Sequence, residues 1–171
     1  MDSWINGKLN KKEDGYYIDD TWILWDWEED VITKGIKELC KKYKFESVLE
    51  LGFGVGWTAT EFQKYGIKRH VILEPNKEVY KNALEWNKKY NAEILNLFSW
   101  EYELKEDFDL IYDDIVFLNN AKNHNNWLKK FKNQLLARNA GPAGGISEGD
   151  FFDFRINNIK YRQNITWLHK H

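Results

Sequence analysis

The stretch Ser47-Val48-Leu49-Glu50-Leu51, running into Gly52, Gly54 and Gly56, constrains this chain more than any other feature. A short, mostly apolar run closed by glycine reads as a buried strand, because it is too brief for a stable helix. Glycines at alternate positions then supply turn conformations closed to other residues and let the main chain approach a ligand. A second run, His70-Val71-Ile72-Leu73-Glu74, repeats the strand signature and is broken by Pro75. Open parallel sheets bind ligands beyond the carboxyl ends of their strands, so both strand ends are candidate ligand positions.

The flanking pattern supports such a sheet. Helical spacing of Val31, Ile32, Ile36, Leu39 and Cys40 predicts a helix that ends near Tyr43, and Thr58 to Tyr65 predicts a second that closes at Gly66. Glu78 to Tyr90 and Trp127 to Leu136 read as further helices. Glu93 to Asn96 and Asp109 to Asp113 read as strands, with Gly144 to Ser147 as a candidate fifth. Strands alternating with helices predict an α/β fold with a mostly parallel, doubly wound sheet. Phe152 to Ile156, Ile159 to Arg162 and Ile165 to His169 are strand-like, with Asn157-Asn158 as a turn, and predict an antiparallel hairpin at the end. Residues 1–21 are polar and glycine-marked and read as an N-terminal arm, leaving 22–171 as a single domain.

Composition narrows the function classes. A chain of 171 residues that is 43% hydrophobic and 16% aromatic supports one folded domain rather than a disordered segment. A net charge of −2 lacks the basic excess of proteins that neutralise phosphates, so a nucleic-acid partner is not expected; Lys11-Lys12, Lys41-Lys42 and Lys129-Lys130 read as solvated faces. Cys40 is the only cysteine, which excludes an internal disulfide and a cysteine-based zinc site. Tyr112-Asp113-Asp114 lacks a third ligand, and His124, His169 and His171 have no ligand spacing, so no metal is predicted. No apolar run reaches membrane-spanning length, and the start has no signal-peptide pattern, so a cytoplasmic location is predicted.

Two ligand types use a glycine loop followed by an acid. Gly54-Val55-Gly56-Trp57-Thr58-Ala59 satisfies the dinucleotide pattern G-x-G-x-x-A, and Glu74 sits near the offset expected of a ribose-binding acid. Trp57, however, enlarges a turn that should hug a pyrophosphate, and Glu50 would set a carboxylate beside two phosphates. A ligand carrying an ammonium and a sulfonium is instead attracted to that carboxylate. The charge pattern therefore predicts S-adenosylmethionine as cofactor, with S-adenosylhomocysteine as product.

The order h-h-E-x-G-x-G-x-G, then an acid closing the next strand, resembles the class I methyltransferases and implies their Rossmann-like fold, here with a shortened C-terminal half. Further segments occur in matching order: Trp27-Glu28, Ile72-Leu73-Glu74-Pro75-Asn76, Trp100-Glu101 and Phe108 to Asp113. Together they are similar to guanidinoacetate N-methyltransferase and the related arginine methyltransferases of fungi, over roughly Trp25 to Gly145. The resemblance implies that Glu50, Gly52, Gly54 and Gly56 surround the methionine part of the cofactor, that Glu74 holds the ribose, and that Ser99 and Trp100 lie by the adenine. It implies that Glu28 and Asp113 grip the acceptor guanidinium and orient its nitrogen. Carboxylates there suit the chemistry, since a nitrogen becomes nucleophilic only as its positive charge is shed or delocalised.

Departures from the family bear on the acceptor. Asp114 and Ile115 replace other residue types after Asp113, and Glu148, Asp150 and Asp153 would repel a substrate carboxylate. The expected activity is N-methylation of a small guanidino or amine substrate, or of a peptide-borne arginine. Alternatives are a cofactor-binding protein without transfer activity and an enzyme using the same cofactor for another reaction.

Overall fold

The computed structural model describes residues 2–115, 121–130, 134–138, 141–142 and 150–168. In chain order its elements are α1 (Asp2–Asn6), β1 (Leu9–Lys11), β2 (Gly15–Ile18), β3 (Thr21–Trp25), α2 (Glu28–Lys42), β4 (Ser47–Leu51), α3 (Trp57–Gln63), β5 (Arg69–Leu73), α4 (Lys77–Trp86), β6 (Glu93–Leu95) and β7 (Leu110–Asp113). There follow α5 (Ala121–Leu128), β8 (Gln134–Arg138), β9 (Gly141–Pro142), β10 (Asp150–Ile156) and β11 (Ile159–Leu168), with 3-10 turns at Asn87–Lys89 and Ser99–Glu101.

The main sheet runs in the order β10-β11-β8-β7-β4-β5-β6, with β9 paired to β11. Strands β8, β7, β4, β5 and β6 are parallel, and β11 is antiparallel to both β8 and β10. This is the Rossmann-like class I arrangement, mostly parallel with an antiparallel end. The chain leaves β4 toward β5 and β6, then returns to β7 on β4's other side. That reversal opens a crevice at the carboxyl ends of β4 and β7, where such folds bind ligands.

Burial on both faces explains why β4 reads as a continuous apolar run. Val48 packs with Ile32, Ile36 and Leu39 of α2 and Phe62 of α3, while Leu49 and Leu51 pack on the other side with Trp127 and Leu128 of α5. Helix α2 buries Val31, Ile32, Gly35, Ile36 and Leu39 along one stripe. Its first turn carries Glu28, Glu29 and Asp30 and its last Lys41 and Lys42, a placement that complements the helix dipole. The tight turn closing the β10–β11 hairpin falls where expected, with Asn157 at φ 48° and Asn158 at φ 67°.

Several expectations are corrected. Trp127 to Leu136 is not a helix: α5 ends at Leu128, and Gln134–Arg138 forms β8, the fifth parallel strand. Leu135, Leu136 and Ala137 carry helix-favouring side chains, but each is buried between β7 and β11, and that tertiary pairing overrides local propensity. The segment Gly144 to Ser147, expected as that strand, lies outside the described residues. Strand β11 is continuous, where two separate strand-like runs were expected.

The N-terminal residues carry structure of their own. Strands β1, β2 and β3 form a separate antiparallel sheet. Ile18 and Ile23 from it join Phe53, Ile72 and Val79 in one apolar cluster. The segment is also tied by polar contacts: Asn76 Nδ2 donates to the carbonyls of Trp4 (2.6 Å) and Gly7 (3.1 Å), and the Leu9 N–H donates to Glu78 (3.2 Å). Among the described residues no helix is long and apolar enough to cross a membrane.

Candidate active site

The glycine loop begins where β4 stops. Gly52 N–H donates to the Leu73 carbonyl (2.8 Å) and Asp114 N–H to the Leu51 carbonyl (3.1 Å), so the loop is pinned to both neighbouring strands. Gly52 has φ 90°, and a Cβ there would stand 2.9 Å from the Asp114 carbonyl oxygen. Gly54 has φ 57°, with the Leu24 side chain 3.0 Å from where a Cβ would be. Side chains at either position would strain the backbone and fill the space beside it.

Glu74, just past β5, is buried and binds this loop to the next helix. Its carboxylate accepts from the Phe53 N–H (2.9 Å) and the Asn76 N–H (2.7 Å). Burial pushes its carboxyl up to about 7 despite the main-chain donors, which lower it, and nearby Glu50 raises it further. Asn76 caps α4 by accepting from the N–H groups of Glu78 (3.0 Å) and Val79 (2.9 Å).

A cleft with about 940 Å³ of empty space, partly open to solvent, lies over these groups. Gly52, Gly54 and Glu74 form its floor, and Phe98, Ser99 and Trp100 line one end, where the Phe98 and Trp100 rings stack with centroids 4.5 Å apart. Trp4, Ile18, Ile23 and Leu24 of the N-terminal segment cover it, and Asp114, Ile115 and His124 complete the wall. A backbone cradle, a carboxylate within it and an aromatic platform suit a cationic nucleoside ligand.

The remaining expected residues stand around the cleft without lining it. Gly56, at φ 83°, caps the start of α3. Glu50 is fully buried; its Oε2 lies 2.8 Å from His70 Nε2, while its Oε1 has no hydrogen-bond partner among the described residues. The Gln63 amide donates to His70 Nδ1 (3.0 Å), leaving the Nε2–H to donate to Glu50. Glu28, half-buried, accepts from the Trp25 N–H (2.7 Å), and burial raises its carboxyl while that bond lowers it. Asp113 is buried, with Oδ2 3.2 Å from His124 Nε2, and His124 Nδ1 lies 2.9 Å from Ser99 Oγ.

Residue by residue, then, the structure brings Gly52, Gly54, Glu74, Ser99 and Trp100 together in one cleft, with Glu28, Glu50, Gly56 and Asp113 in the shell around it. Asp153, expected to repel a substrate carboxylate, does not reach the cleft: it pairs with Arg162 and Lys160 across the exposed hairpin, and these hold its carboxyl down to about 2. Glu148 and the side chain of Asp150 lie outside the description.

The family profile of guanidinoacetate N-methyltransferase matches residues 15–153. This chain belongs to that family. Protein arginine N-methyltransferase 2 of Candida glabrata is 30% identical over 125 residues, covering 68% of this chain. The chain spans only 30% of that relative's length. Among solved structures, the N-methyltransferase NodS of Bradyrhizobium japonicum WM9 superposes with a TM-score of 0.63 at 11% identity, covering 84% of this chain and 97% of NodS. NodS in complex with S-adenosylhomocysteine gives 0.62 at 12% identity, covering 82% and 88%. An S-adenosylmethionine-dependent methyltransferase of Clostridium acetobutylicum gives 0.54 at 13%, covering 78% and 60%. Family and fold thus agree on S-adenosylmethionine as cofactor.

Three groups of cleft residues escaped the sequence. Of the apolar cover, Trp4 and Ile18 sit in the polar stretch 1–21 that was expected as an arm and Ile23 and Leu24 just beyond it, although the alternation in β2 and β3 was a usable strand signal. His124 shows no local spacing, because its partners Asp113 and Ser99 come from other elements. Asp114 was noted as a departure from the family and as part of an incomplete metal-ligand pattern, with no signal that it lines the cleft.

Proposed function

We propose that this chain transfers the methyl group of S-adenosylmethionine to a nitrogen of a cationic acceptor: a small guanidino or amine compound, or an arginine side chain. The observation that carries this reading is the gathering of carboxylates at the ends of β4, β5 and β7, where Glu28, Glu50, Glu74 and Asp113 all act on Asp114. A cation is the ligand that such a gathering of acids in and behind the cleft favours. The matching family is named for guanidinoacetate and the Candida relative for arginine, and both acceptors end in a guanidinium.

In this reading Glu74 accepts from the ribose hydroxyls, the three glycines cradle the methionine end with Glu50 behind them, and Ser99 and Trp100 flank the adenine. The bound cofactor supplies an electrophilic methyl carbon on a positively charged sulfur. Glu28 and Asp113 orient the guanidinium, and Asp113 takes the proton that the nitrogen sheds as its bond to carbon forms. His124 holds the Asp113 carboxylate by one oxygen and reaches Ser99 on the cofactor side.

The test follows labelled methyl from S-adenosylmethionine into a panel of amines, guanidines and arginine peptides. Asp113→Asn should lower kcat/KM by about 10²–10³ while cofactor affinity stays within about threefold, since the change is nearly isosteric and removes charge where it is needed. Glu28→Gln should act alike, chiefly through KM. Full activity in Asp113→Asn, or no methyl in any nitrogen acceptor, overturns the reading.

A further inference from the structure

We propose that His124 is the positioning residue of this site: its ring, oriented by Ser99, sets the plane of the Asp113 carboxylate that takes the acceptor's proton. The inference rests on the methyl transfer proposed above and names the group that readies its base. Its basis is three side chains brought together from three elements. Asp113 ends β7, His124 lies in α5, and Ser99 opens the 3-10 turn Ser99–Glu101. All three are buried, and the ring lies between the other two. Its Nε2 is 3.2 Å from Asp113 Oδ2 and its Nδ1 2.9 Å from Ser99 Oγ. Trp127, one turn on in α5, packs beside the ring with centroids 6.1 Å apart, and its indole N–H donates to the Tyr102 carbonyl (3.0 Å) just past the 3-10 turn. Helix and turn together hold the ring in place.

The proton positions follow from the partners. A carboxylate can only accept, so Nε2 carries the proton shared with Asp113; the neutral ring then accepts at Nδ1, and the Ser99 hydroxyl donates to it. Ser99 thus selects the tautomer that can hold Asp113. An aspartate carboxylate turns about its last bond with no sharp preference of its own, so a fixed donor on Oδ2 decides where Oδ1 lies. That matters because Asp113 stands behind the residues that line the cleft, whereas His124 and Ser99 are among them. In the proposed step the acceptor nitrogen bonds to the methyl carbon and the carbon–sulfur bond breaks, leaving its electron pair on sulfur. One N–H proton passes to Asp113. In this role His124 acts through Asp113, and it bears chiefly on kcat.

Steady-state transfer of labelled methyl, with S-adenosylmethionine saturating and the best acceptor of the panel, tests this role. His124→Asn keeps an acceptor for Ser99 but is too short to reach Asp113. Its kcat should fall about 30-fold, the scale of a small misplacement, with acceptor KM within about threefold. His124→Gln, whose amide N–H reaches where Nε2 stood, should recover kcat to within about fivefold of wild type. In an Asp113→Asn background, His124→Asn should change kcat by less than about threefold, because the group it positions is already gone. Nitrogen NMR of histidine-labelled protein, with the His124 signal assigned by its loss in His124→Gln, should show Nδ1 unprotonated in wild type. That preference should be lost in Ser99→Ala, and it is read even if His124→Asn does not fold. Equal losses in the Asn and Gln variants, a loss confined to KM, a full further loss in the Asp113→Asn background, or a ring protonated at Nδ1 overturns the role of His124 and leaves the proposed function standing. No methyl on any nitrogen acceptor in wild type overturns that function, and this role with it.

Discussion

The carboxyl ends of β4 and β5 and the carboxyl end of β7 both present acids to the same cleft, but they handle them differently. On the β4–β5 side, Glu74 meets the main-chain N–H groups of Phe53 and Asn76, and Asn76 in turn caps α4. Its carboxyl is met by main-chain donors, one from the loop after β4 and one from its own turn. On the β7 side, Asp113 is held by His124 from α5, and Asp114 faces Glu28, Glu50, Glu74 and Asp113. The first region is a holder completed largely by backbone, which suits a cofactor common to many enzymes. The second concentrates negative charge that an incoming cation relieves, which suits a variable acceptor.

The largest effect that would break this contrast is on the loop. Gly52→Ala should destabilise the protein by roughly 2–3 kcal/mol, since φ 90° disfavours any side chain and a Cβ meets the Asp114 carbonyl. Gly66→Ala, at φ 71° with nothing near its Cβ, should cost only about 1 kcal/mol. Thermal or urea unfolding distinguishes them, and equal losses would mean that the close approach of loop to β7 is unimportant.

Next comes the holder itself. Glu74→Ala should weaken S-adenosylhomocysteine binding by about 1.5–3 kcal/mol at pH 8, the loss of charged hydrogen bonds to the ribose. Unchanged affinity would assign Glu74 to loop support alone.

The smallest effect is in pH. The Glu74 carboxyl sits at about 7 against an ordinary 4.5, so the folded, ligand-free protein holds this proton more tightly than the unfolded chain does. Its contribution to stability is therefore fully present below about 4.5 and is lost as pH rises through about 7. In the proposed binding mode the ribose hydroxyls need the carboxylate, so cofactor affinity runs the other way and should fall about tenfold from pH 8 to pH 6. Glu74→Gln should flatten that dependence. A wild-type affinity constant across this range would place the ribose elsewhere.

Legibility in the sequence followed the same divide. The run into Gly52 and the acid after β5 are local patterns, in which spacing carries the structural meaning. Strand β8 was misread because Leu135, Leu136 and Ala137 suit a helix in isolation, and only pairing with β7 and β11 makes them a strand. The cover over the cleft was misread because Ile18, Ile23 and Leu24 become apolar partners of Phe53 or of the main core only once the N-terminal sheet folds back.

The sequence by itself determined the alternation of strands and helices, the glycine cradle with its following acid, and the excess of carboxylates near the ends of β4, β5 and β7. These depend on periodicity, backbone freedom and residue charge, all written locally. Only the tertiary structure decided which carboxylates line the cleft, Glu74 and Asp114, and which stand behind it. Asp113 and Asp114 are adjacent in the chain, but successive side chains point to opposite faces as a strand ends. Asp113, the last residue of β7, is bound by His124 of α5, and Asp114, just past the strand, is among the residues that line the cleft; both outcomes depend on how α5 and the glycine loop pack beside the strand end.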